Sequence, residues 1–329
     1  MGRAIRSISA VACAALLGAC AGRSLHMPRL PRIGESFLPP VVPYASLSDT
    51  TTMSGRLWYR ARGTAYDLYV QSPAVIPEVD ERLQETTRQF ARHFGGAPRV
   101  AVLVFETPAD PTREFDFTPF RATHTQVLAF VRGRKGARGG TVGIDDGLMR
   151  ARFAELFLAA YADSVLAART GRWDATSGGH AVDRLPHWFA EAVISRVAGP
   201  ETVEPGVRFL RANRPHLVPL QRLFAASRLA APAWCEMADR KLPSLSFGAP
   251  RAGGAAGADP PALLAAESTV FGEFLVDRYG PTFLQAVADA LLEGLPTERV
   301  FAALPGVPED RTALERSWSE WLAAAAVDR

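Results

Sequence analysis

The order of apolar and polar positions divides the chain into a strand-bearing first half and a helical second half. Over 65–71 the tyrosines and apolar residues of Ala-Tyr-Asp-Leu-Tyr-Val-Gln suit a strand. From 77 to 94, Val79, Leu83, Thr86, Phe90 and Phe94 recur at helical spacing, and Gly95-Gly96 closes the helix. The unbroken apolar run Val100-Ala-Val-Leu-Val-Phe105 predicts a buried central strand. Two further strands are expected over 125–131 and 140–144, joined by the basic, glycine-rich loop Arg132–Arg138. That loop reads as a solvated hairpin tip, with a patch for anionic lipid or glycan as the alternative.

Beyond Asp145 the pattern becomes helical. A long helix over 148–170 carries Met149, Phe153, Leu156, Phe157, Ala160 and Tyr161 on one face, and a second covers 185–197. A short helix at 219–226 precedes a Pro/Gly/Ala-rich stretch over 229–261. Four helices close the chain, at 263–279, 281–293, 297–304 and 309–324. Strands first and helices afterwards predict an α+β fold: a strand-rich half (56–145) packed on a mainly helical half (146–329) in one domain. No glycine-rich turn follows a strand in the dinucleotide or P-loop pattern.

The first residues belong to neither half. Arg3 and Arg6 precede a short apolar run from Ile8 to Leu17, which has the make-up of a secretory signal over 1–19. The run has about half the roughly 20 residues that a membrane span requires. Leu17-Gly18-Ala19-Cys20 resembles a bacterial lipobox, which implies a lipid on Cys20 and attachment to the envelope membrane. Ala21 follows in place of Asp, so the resemblance points to the outer membrane, facing the periplasm. Ordinary cleavage nearby would instead leave a soluble periplasmic protein. Pro28, Pro31, Pro39, Pro40 and Pro43 make 20–55 read as an extended tether.

Cysteine and charge narrow the chemistry. Cys13 leaves with the signal and Cys20 carries lipid, so Cys235 is the remaining thiol, too few for a disulfide or a thiolate metal site. The formal charge of +3 falls to +1 once Arg3 and Arg6 are removed, which gives no reason to expect nucleic acid.

Pro186-His187-Trp188-Phe-Ala-Glu191-Ala192 on the second helix resembles the ligand segment Pro-x-Trp-x-x-Glu-Gly of the peptidase MA-like domains, relatives of the thermolysin-type gluzincin metallopeptidases. Glu267 to Gly280 is similar to the helix behind that family's site, and Leu304-Pro-Gly306 through Trp318–Leu322 to its closing helix. The resemblance covers roughly 65–325. It implies a zinc held by two His of a His-Glu-x-x-His helix and a later Glu, with the inner Glu as general base.

The departure falls on the first helix. In place of His-Glu-x-x-His stands Ala154-Glu155-Leu156-Phe157-Leu158. Glu155 takes the base position, Glu191 follows 36 residues later, and Ala154 and Leu158 take the two ligand positions on one helix face. Neither hydrocarbon binds a cation, so the expectation is a vestigial Glu155 and Glu191, no catalysis and no cofactor. Arg152 offers Glu155 an ordinary helix ion pair. The expected role is binding of a polypeptide or envelope partner, with 126–132 or 140–144 as the candidate strand edge. Two rivals stay open. One is an active zinc hydrolase using His187 and Glu191, with His180 of the preceding Gly-Gly-His loop as a further candidate ligand and Glu155 as base. The other is a purely structural envelope lipoprotein.

Overall fold

Strand alternation places two separate apolar faces on one sheet. In the computed structural model, residues 47–106, 115–121, 123–131, 146–170, 181–199, 203–225, 260–308 and 310–325 are described. They belong to a unit spanning Val42–Arg329. The strands β1 (Leu47–Met53), β2 (Arg56–Arg62), β3 (Tyr66–Val70), β4 (Val100–Phe105) and β5 (Gln126–Val131) lie side by side in chain order. The pairs β1–β2 and β2–β3 are antiparallel, whereas β3–β4 and β4–β5 are parallel. Parallel neighbours require a crossover, and α1 (Ile76–Phe94) supplies it between β3 and β4.

Tyr66, Leu68 and Val70 on β3 face the helices together with Val100, Val102 and Val104 on β4. Their neighbours Tyr69, Ala101, Leu103 and Phe105 turn to the opposite face and meet Trp58, Phe115 and Phe120. Phe120 sits on α2 (Thr118–Arg121), which follows β4 and lies across this second face. Both strands are therefore buried on two sides, as the unbroken apolar run of β4 predicts for that strand.

One departure from the sequence reading concerns the beginning of the chain. The stretch 20–55 was expected to be a tether, with structure starting near Leu57. Instead Leu47–Met53 pairs with β2, from Asp49 opposite Arg60 to Met53 opposite Arg56. Three consecutive threonines favour a strand even without an apolar face. Ser54 (φ 48°) and Gly55 (φ 69°) both occupy the left-handed region, the geometry of a tight hairpin turn that continues strand twist. The strand expected at 140–144, the loop Arg132–Arg138, His180, Cys20 and Cys235 lie outside the described residues.

The helical half begins with α3 (Asp146–Thr170), 25 residues long and apolar on nearly every side. Such a helix must be surrounded. It meets β4 and β5, α1, and α4 (His187–Ala198), and the aromatic rings of Phe90 and Phe94 on α1 reach Phe157 and Tyr161. Next comes α5 (Val203–Ala212), which the sequence reading did not foresee. Pro205 and Gly206 obscure it, yet Pro in a first turn costs no hydrogen bond, and Val203, Gly206, Val207 and Leu210 form its buried stripe. After α6 (Leu220–Ala225), the helices α7 (Pro260–Tyr279), α8 (Phe283–Leu292), α9 (Thr297–Ala303) and α10 (Arg311–Ala324) follow close to the expected bounds.

The helix α7 crosses both α4 and α5. Glycine makes the approach possible: a Cβ on Gly272 would stand 2.6 Å from the Ala192 Cβ, and one on Gly206 would stand 2.8 Å from Val270 Cγ2. Trp188, Phe224, Phe271 and Phe301 form an aromatic knot where α4, α6, α7 and α9 meet, and Trp318 of α10 packs on Phe271.

Candidate functional site

The interface of α3 and α4 is where the resemblance would place a metal. Ala154 and Leu158 are fully buried in the same apolar core as Phe153, Phe157, Trp188, Phe189 and Val193. The positions of both imidazole ligands are thus filled by hydrocarbon that the fold uses as core. Glu155 is buried beside them, and Arg152 Nη1 donates to its Oε2 at 2.9 Å, the helix ion pair its spacing suggests. Glu191 Oε1 lies 3.9 Å from His187 Nδ1 one turn away. Among the described residues no group of three His, Cys, Asp or Glu side chains is placed to hold a metal ion. Hydrocarbon at 154 and 158 offers no donor atom to the zinc that the resemblance implies.

The small residue after Glu191 has a packing role. Ala192 faces Gly272 at van der Waals limits, so a segment that reads as ligand motif also sets the α4–α7 distance. Polar pairs line the same contact: Ser195 Oγ stands 2.9 Å from Thr269 Oγ1, and Arg196 Nη1 lies 2.8 Å from Glu273 Oε2. Ser268 Oγ and Ser164 Oγ each donate to a carbonyl one turn back, Leu264 and Ala160.

Two buried titratable groups stand apart from these pairs. Glu267 on α7 accepts the backbone N–H of Val218 at 2.7 Å, and burial pushes its carboxyl up to about 7 against the lowering effect of that bond. Glu315 accepts the N–H of Leu220 at 3.2 Å, so two carboxylates hold the chain entering α6. His93, near the end of α1, is fully buried with Nδ1 donating to Pro281 O at 2.9 Å. Burial is the main cause that brings its imidazole down to about 4.

A third arrangement escaped the sequence reading. On the sheet face away from the helices, Asp67 of β3 is buried and surrounded by cations. Arg60 Nη2 lies 3.1 Å and Arg99 Nη2 2.8 Å from its Oδ2, and Arg62 Nε lies 3.8 Å from Oδ1. His124 Nε2 donates to Oδ2 at 2.7 Å, while its Nδ1 stands 2.9 Å from Thr123 Oγ1. Burial alone would raise the Asp67 carboxyl, but the bonds from His124, Arg99 and Arg60 and the Arg60 charge hold it well below the usual carboxylate range. The Arg60 guanidinium also lies 5.4 Å from the Tyr69 ring centre. One signal was available: Arg60 and Arg62 alternate on a strand whose neighbour offers a single acid.

Among the described residues no helix is long and apolar enough to cross a membrane. No protein-family model matches the chain, and no significant match was found among curated proteins or solved structures.

Proposed function

We propose that this chain is an envelope lipoprotein, anchored through Cys20, whose gluzincin-like core has lost its metal chemistry and binds an extended polypeptide at a sheet edge. The observation that carries this reading is the complete burial of Ala154 and Leu158 in the core, where the family resemblance assigns metal ligands. A water beside Glu155 would have no Lewis acid to lower its pKa from about 15.7 towards 7. Binding along a strand needs none, because backbone N–H and C=O groups supply the affinity. Among the described residues β5 has a strand partner on one side only, and α3, which bears Glu155, packs against it.

Hydrogen exchange on the full chain, with and without a library of unstructured peptides, tests the edge. Slowed exchange of the 126–131 amides on peptide addition is expected; protection elsewhere with β5 unchanged would remove this reading. The hydrolase rival has its own signature, a stoichiometric zinc that is lost in His187→Ala.

A further inference from the structure

The Asp67 cluster holds more positive charge than its carboxylate needs. A buried carboxylate must be paired and hydrogen-bonded, and His124, Arg99 and Arg60 meet that need at Oδ2, at 2.7, 2.8 and 3.1 Å, while Oδ1 accepts no hydrogen bond among the described residues. Arg62 approaches as well, at 3.8 Å. Arg62 and Arg99 alone set two charges against one acid, an excess of one, without counting Arg60 or His124.

The excess faces outward. The side chains of Arg62 and Arg99 are 54% and 47% exposed, against 1% for Asp67. Among the described residues Asp67 is the one acid paired with either of them. Each guanidinium carries five N–H donors in a planar fork, and the contact with Asp67 engages one nitrogen of each. The cluster lies at one end of the sheet: Asp67 is near the start of β3, Arg99 precedes β4, and His124 precedes β5. Arg62 closes β2, and its backbone pairs with Asp67 itself. Sheet pairing fixes the base of Arg62, Arg99 adjoins the start of β4, and the buried carboxylate holds the Arg99 head at 2.8 Å with the Arg62 head 3.8 Å away. Donor forks held in this way suit a compact oxyanion, because little side-chain order is lost on binding.

We propose that Arg62 and Arg99, positioned by Asp67 beside Arg60, bind a phosphate group. The site is distinct from the α3–α4 interface and from the β5 edge, and it stands whatever those regions do. The phosphate belongs either to a free anion or to a phosphomonoester headgroup on a membrane surface.

The test uses the full chain with Cys20→Ala, so that no attached lipid contributes. One arm titrates orthophosphate by calorimetry against chloride at equal ionic strength. The other measures flotation with phosphatidylcholine vesicles with and without phosphatidic acid. Arg62→Gln should weaken binding several-fold, and Arg62→Gln with Arg99→Gln about tenfold or more, while Arg208→Gln on α5 leaves it unchanged. Arginine-dependent binding in the first arm identifies a free anion, and in the second arm alone a membrane headgroup. Arg62→Gln removes only the 3.8 Å contact, so it keeps the test valid should the double variant unfold. Equal responses of the parent chain and Arg62→Gln in both arms, or none beyond chloride, overturn the proposal.

Discussion

Between α3 and α4 the acids meet partners on their own helices, Glu155 with Arg152 and Glu191 with His187. On the far face of the sheet one buried acid gathers cations from three other segments: Arg60 and Arg62 of β2, Arg99 before β4 and His124 before β5. The first region packs hydrocarbon around its acids. The second keeps charge at a solvent-facing rim, where a buried group orders it. Resemblance to an enzyme draws attention to the first, yet the exposed donors lie in the second.

The largest effect should come from putting the family's ligands back. Ala154→His with Leu158→His places two imidazoles where there is only packed hydrocarbon, and unfolding in denaturant should show a loss of about 4 kcal/mol or more. Near-unchanged stability would mean that the interface is roomier than a core. Asp67→Asn should cost on the order of 3 kcal/mol by leaving His124 and the arginines without their anion, and a loss under about 1 kcal/mol would show that water serves them equally well. Gly272→Ala, which forces α4 and α7 apart at Ala192, should cost about 1–3 kcal/mol by the same measurement.

The pH dependence is subtler, because two groups act with opposite sign. Glu267 keeps its proton in the folded chain up to about 7, against 4.5 when unfolded, so stability falls as pH rises through that window. His93 resists protonation down to about 4, against 6.5, so stability falls as pH drops through its window. The two slopes oppose each other where the windows overlap. Glu267→Gln should flatten the upper limb by on the order of 1–2 kcal/mol between pH 5 and 8; an unaltered limb would assign the slope to another group. The smallest effect is expected from Arg208→Gln. Its pair with Glu204 is 3.5 Å long and mostly exposed, and thermal unfolding should change by less than about 0.5 kcal/mol in equivalent stability.

What the sequence disclosed follows from the range of each interaction. Apolar patterning placed α1, α3 and the closing helices to within a few residues, because it is written along the chain itself. The pair Arg152–Glu155 was legible for the same reason, being three residues apart on one helix. β1 was not, since Leu-Ser-Asp-Thr-Thr-Thr-Met has no apolar face and becomes a strand by pairing with β2. α5 hid behind Pro205 and Gly206, and the need for glycine at 206 appears only once Val270 is seen against it. The Asp67 cluster was hidden most completely, because its partners are set by register between strands and not by any local spacing.

The central proposal is that hydrocarbon between α3 and α4 occupies the positions where the family resemblance implies metal ligands. Its most direct test is elemental analysis of the full chain after equilibration with zinc and removal of loosely held ions. No retained zinc, and a melting temperature indifferent to chelator, is the predicted result. One zinc per chain that survives dialysis and disappears in His187→Ala would contradict it.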